Sequence, residues 1–159
     1  MDKNIDFSKN LIKGKITEII FERMFTEVGE FTILRSGYEY TLPELAQYRQ
    51  LPEVEKYIEN LRKIPDFILI SDDRKRAFIV EVKYRTKRVD ENIFKITSDI
   101  LKIWNPSWLF VASPDGFFFS PCSTIKKNKG KIGRLPESWI NKKIQDKYLK
   151  LMNEFKPKN

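Results

Sequence analysis

Residues 66–84 constrain this chain more tightly than any other segment. DFILIS (66–71) and RAFIVEVKY (76–84) are apolar runs separated by the polar stretch Asp72-Asp73-Arg74-Lys75, the pattern of a β-hairpin. Successive strand side chains point to opposite faces. Phe78, Val80 and Val82 therefore share one face of the second strand, and Ala77, Ile79, Glu81 and Lys83 share the other. That strand is apolar enough to be central in a sheet. A carboxylate and an ammonium there are costly unless paired, metal-bound or at the strand's open end. Asp66 opens the first strand, with Ile68 and Ile70 on its face. In an antiparallel pair the start of one strand lies beside the end of its partner, so the hairpin predicts an Asp66, Glu81, Lys83 cluster at one end.

Two readings of that cluster are open. In one, the two carboxylates and a backbone carbonyl are hard oxygen ligands suited to Mg²⁺, with a lysine beside them to hold or deprotonate a water. In the other, Glu81 and Lys83 form a structural ion pair and Asp66 caps a turn.

Composition removes much other chemistry. The chain has no histidine and one cysteine, Cys122. This excludes Ser-His-Asp and Cys-His triads within it, histidine-ligated zinc, internal disulfides and CxxC sites. Any catalysis rests on carboxylates, lysines, hydroxyls and a hard metal. Net charge is +8, unevenly spread: 126–134 (KKNKGKIGR) holds five basic residues and no acid, and 74–88 holds seven against Glu81. Such surfaces concentrate phosphate polyanions, although a solvated lysine-rich surface has the same composition. The first ten residues lack the apolar block of a signal peptide, and apolar runs are far short of the roughly 20 residues that span a bilayer. The expectation is a soluble, cytoplasmic, single-domain protein over 1–159, without a membrane partner.

Periodicity predicts a first helix, capped by Asp6 or Ser8 and running to about Val28, with Ile12, Ile16, Ile19, Ile20 and Met24 on one side and Gly29 as the stop. A strand over Phe31–Leu34, a helical segment over about 43–62 broken near Pro52, and the hairpin follow. A helix over about 90–104 buries Ile93, Ile96, Ile100, Leu101 and Trp104, and Asn105-Pro106 ends it. Strands over Trp108–Ala112 and Phe117–Ser120, a flexible basic loop with Gly130 and Gly133, and a C-terminal helix over about 137–155 complete the chain. The class is α/β, with a mixed central sheet flanked by helices. Trp104, Trp108 and Phe117–Phe119 are read as core.

Pro65-Asp66, fourteen intervening residues and Glu81-Val82-Lys83 resemble the motif of PD-(D/E)XK nucleases in residue type, spacing and placement on a hairpin. Lys13-Gly14-Lys15-Ile16-Thr17-Glu18, in a helix leading to the strand FTILRSG, is similar to the N-terminal region of archaeal Holliday-junction resolvases and their relatives. The resemblance covers about residues 10–112. It implies a restriction-endonuclease-like αβββαβ core, here with a helical insertion (about 43–62) and a C-terminal helix. It further implies a Mg²⁺-dependent endonuclease (Mn²⁺ as substitute) acting on double-stranded or branched DNA in repair, recombination or mobile-element defence, as a homodimer. Asp66, Glu81 and the Val82 carbonyl would ligate the metal, and Lys83 would position or activate the water. Glu18 would complete the site, with Glu22, one turn on, as the alternative. Lys15, Arg85, Lys87, Arg88, Lys126, Lys127, Lys129 and Lys131 are the candidate DNA contacts. The stretch Tyr38–Ile64 is longer than in the compact resolvases, which puts junction specificity in doubt but not the metal site. The rival reading is a non-catalytic nucleic-acid-binding module on the same fold.

Overall fold

In a computed structural model of the chain, residues 3–36, 50–61, 63–86 and 91–155 are described. The elements, in order, are α1 (Lys3–Val28), β1 (Phe31–Arg35), α2 (Pro52–Leu61), β2 (Phe67–Ser71), β3 (Ala77–Tyr84), α3 (Glu91–Leu101), β4 (Trp108–Ser113), β5 (Gly116–Pro121), α4 (Cys122–Lys127) and α5 (Lys142–Glu154). The strands form one mixed sheet in the order β1-β2-β3-β4-β5. All neighbouring pairs are antiparallel except β3 and β4, which run parallel and are joined through α3. The apolar strand of the hairpin is thus the middle strand, as its composition predicts.

The hairpin closes where its polar turn was expected. Asp73 accepts hydrogen bonds from the Ser71 hydroxyl and the Lys75 amide at 2.6 and 2.9 Å, an Asx-type turn that holds Arg74 at φ 57°. Pairing then runs from Ile70 opposite Ala77 to Phe67 opposite Val80.

Helices cover both faces. On the first, Ile20, Phe21, Met24 and Phe25 of α1 and Met152 of α5 pack on Phe67, Leu69, Phe78, Val80, Val82 and Phe110. An aromatic cluster closes this face: Trp139 lies 5.4 Å from Phe31, 5.1 Å from Phe78 and Phe119, and 5.3 Å from Trp108. On the second face, Ile93 of α3 and Cys122 and Ile125 of α4 pack on Leu109, Val111 and Phe118.

Several expectations need correction. Helix α1 already includes Lys3, and the Ser8 hydroxyl donates back to the Asn4 carbonyl instead of capping. Its buried line is Thr17, Ile20, Phe21, Met24 and Phe25, whereas Ile12 and Ile19 are 57% and 52% exposed. Apolar residues occur on both sides of α1, so periodicity alone does not choose a face. The rings of Phe21 and Phe25 choose it by filling the gap over the sheet, Phe21 lying 4.8 Å from Phe67 and 5.0 Å from Phe110. Gly29, at φ 73°, ends α1 as expected, its amide donating to the Phe25 carbonyl at 3.4 Å.

The basic segment is also more ordered than a flexible loop. Lys126 and Lys127 belong to α4, and Gly130, at φ +92°, is buried against α3, where an added Cβ would lie 3.1 Å from Phe94 Cβ. Helix α5 starts at Lys142 because Asn141 caps it, accepting the Ile144 amide at 3.0 Å. The preceding residues form a turn on Pro136 that carries Trp139 into the aromatic cluster. The helical insertion is described from Pro52, its first helical residue, to Leu61, and residues 43–49 lie outside the described residues.

The two sides of α1 should differ sharply in energetic weight. Phe21→Ala is expected to cost about 3–5 kcal/mol and Ile19→Ala less than about 1 kcal/mol, read from urea unfolding at constant m-value. Equal losses would contradict the packing of α1 described above.

Candidate active site

The site is built by strand register. With Phe67 opposite Val80, one further step sets Asp66 across from Glu81. The Asp66 backbone is anchored from the β1 end, its carbonyl accepting the Ser36 amide at 3.0 Å, while the Ser36 hydroxyl donates to the Pro65 carbonyl at 2.7 Å. Its carboxylate accepts the Val82 amide at 2.9 Å. Glu81 is ion-paired to Lys83 at 2.9 Å, with the glutamate side chain largely covered and the lysine about one-third exposed. The three residues that the hairpin pattern nominated converge at the end of β3.

Their electrostatics are unbalanced. Burial, and after it the neighbouring Glu81 charge, push the Asp66 carboxyl up to about 6. The Val82 amide, Lys83 and Lys15 act in the opposite direction without cancelling the rise. Two carboxylates held this close, one partly desolvated, form a place where an added cation would be stabilised.

A cleft of about 520 Å³ opens on this cluster. Asn10, Lys13, Gly14 and Glu18 of α1 form one wall, and Asp66, Val82, Lys83 and Tyr84 form the strand ends. Arg85, Thr86 and Asn92 complete the lining. Glu81 does not line the cleft and is joined to it through its ion pair with Lys83.

Glu18 and Glu22 separate here. Glu18 lines the cleft and pairs with Lys15 at 3.4 Å, whereas Glu22 is ion-paired with Arg35 of β1. Among the candidate DNA contacts, Arg85 lines the cleft, its guanidinium donating to the Tyr84 carbonyl at 2.7 Å. Lys15 is held beside the cleft through Glu18. Lys126, Lys127, Lys129 and Lys131 are exposed on and after α4 and do not line it. Lys87 and Arg88 lie outside the described residues. Asn10, Lys13, Tyr84, Thr86 and Asn92 were not nominated from the sequence. For Asn10 and Lys13 a signal existed: Asn10 lies two helical turns and Lys13 five residues before Glu18 on the same helix.

Oxygen donors from Asp66 and Glu81 match the preference of Mg²⁺ for hard ligands, and Val82 lines the same cleft as Asp66. Among the described residues no three acidic, histidine or cysteine side chains form a ready-made metal-binding group. Glu18 stands on the helical wall of the cleft, across from Asp66. Cys122 is no alternative nucleophile, since burial pushes its thiol up to about 11. No helix among the described residues is long and apolar enough to cross a membrane. No family model, curated protein or solved structure matches the chain, and the site is therefore interpreted from its own chemistry.

The raised carboxyl has a pH consequence of definite sign. Without metal, the folded state holds the Asp66 proton more tightly than the unfolded state does. That contribution to stability is fully present below about pH 4 and is lost as pH rises through about 6. In EDTA at pH 8, Asp66→Asn should therefore raise Tm by roughly 3 °C or more. Mn²⁺ should raise the Tm of the wild type but not of Asp66→Asn, and that gain should fade below about pH 6 as protons compete. An Asp66→Asn protein less stable than wild type in EDTA at pH 8 would contradict this balance.

Proposed function

We propose that the protein is a Mg²⁺-dependent endonuclease that hydrolyses DNA phosphodiester bonds, on a restriction-endonuclease-like core of the PD-(D/E)XK kind. The observation that carries this reading is the convergence of Asp66, Glu81 and Lys83 near the end of β3, with Asp66 and Lys83 lining a cleft that also holds Glu18. The order α1, β1, β2, β3, α3, β4, with β3 and β4 parallel, supports an αβββαβ core; α2, β5, α4 and α5 are then additions to it.

Asp66, Glu81 and the Val82 carbonyl would hold the ion, which when bound supplies Lewis-acid polarisation of a phosphate oxygen and a water of lowered pKa. The chain's own residues do the rest. Lys83, held by Glu81 at 2.9 Å, presents an ammonium beside the carboxylates, where it orients the attacking water and neutralises charge gathering on the phosphate. Glu18, which lines the same cleft from α1, would help to hold the ion, directly or through a water. Arg85 and Lys13 bind neighbouring phosphates. The water oxygen bonds to phosphorus as the bond from phosphorus to the 3′ oxygen breaks, leaving a 5′-phosphate and a 3′-hydroxyl. An enzyme that cuts both strands of a duplex in this way would act as a homodimer.

The expected result is nicking of supercoiled or branched DNA in Mg²⁺ or Mn²⁺, abolished by EDTA. Asp66→Asn, Glu81→Gln and Lys83→Ala should each lower the rate by roughly 100-fold or more, with DNA affinity changed by only a few-fold. Undiminished cutting in all three variants would remove the assignment. Salt-dependent DNA binding with no Mn²⁺ response and no product would instead identify a non-catalytic binding module.

A further inference from the structure

We infer that Gly14 is where the substrate strand's sugar–phosphate backbone comes against α1, so that the missing side chain is itself part of the binding surface. This rests on the nuclease reading. Glycine is the least favourable helix former after proline, yet Gly14 stands in the interior of a 26-residue helix. Two other glycines have structural reasons: Gly29 ends α1 at φ +73°, and Gly130, at φ +92°, sits where a Cβ would press on Phe94. Gly14 has neither a positive φ nor a neighbour, because a Cβ placed there meets nothing within 4 Å. Neither backbone conformation nor packing within the chain calls for glycine at this position.

The open space at Gly14 is the cleft itself. Asn10, Gly14 and Glu18 are spaced four residues apart and so stack in one row along the helix; all three line the cleft, with Asp66 and Lys83 among the residues facing them. The row reads amide, bare backbone, carboxylate. Lys13 lines the same cleft, and Lys15 is paired to Glu18 at 3.4 Å, so the bare position is flanked by two ammonium groups. Asn92, in the first turn of α3, places a second amide on another wall. A polyanionic strand crossing at Gly14 meets cationic and amide donors on either side, and lies close enough to α1 to set its phosphate over Asp66. Any side chain at position 14 would occupy that path.

Gly14→Ala and Gly14→Leu separate helix stability from substrate approach. Both should raise Tm, Gly14→Ala by about 2–4 °C, because each is a better helix former in open space. Binding to a labelled duplex or branched oligonucleotide, measured in EDTA so that no strand is cut, should weaken about 3- to 10-fold for Gly14→Ala and more than about 10-fold for Gly14→Leu. Cleavage in Mg²⁺ should fall in the same order. Equal DNA affinity of wild type and both variants overturns the inference even where the wild type cuts normally. A wild type that binds DNA and never cuts it sinks the nuclease reading alone, and the affinity series still decides Gly14.

Discussion

Asp66 and Glu81 are brought together by the register of one antiparallel strand pair, and the candidate site depends on that register. Neither carboxylate is free to move away. The backbone of Asp66 is held by Ser36 at the end of β1, and its side chain by the Val82 amide. Glu81 sits on the central strand with Lys83 clamped to it. Burial first, and the Glu81 charge second, raise the Asp66 carboxyl, and both favour a proton or cation at this place.

Helix α1 has two tasks, divided along its length. Its C-terminal half is a core element, with Phe21, Met24 and Phe25 fully buried against the sheet. The stretch before it forms the wall of the cleft through Asn10, Lys13, Gly14 and Glu18. Rigidity in the first half serves geometry in the second: the aromatic contacts and the Glu22–Arg35 pair fix the helix axis relative to β1 and β2, which sets the distance from Glu18 to the strand ends. Because Glu22 is engaged with Arg35, the two glutamates one turn apart are not interchangeable.

The hairpin and its charged cluster were legible because they follow from the two-residue period of a strand and from antiparallel pairing. A strand that reads FIVEVKY has one way to place its apolar face and one place for its charges. The class of the fold, the central position of β3 and the stop at Gly29 were readable for the same local reasons. The face of α1 was not, since apolar residues surround that helix and the choice is made by which rings fit over Phe67 and Phe110. Nor was the order of the basic segment: Gly130 looks like a hinge in sequence, but its contact with Phe94 makes it a packing position.

By itself, then, the sequence determined which residue types gather at the hairpin's end and, through the absence of histidine and of a second cysteine, which chemistries this chain excludes. Tertiary structure alone decided which glutamate of α1 lines the cleft, that Lys126 to Lys131 stand outside it, and that Asn10, Gly14 and Asn92 belong to it. The physical reason is range. Alternation and turn chemistry act between near neighbours and can be read along the chain. The meeting of a helix wall with two strand ends depends on the volumes of buried side chains from distant segments, which no local period encodes.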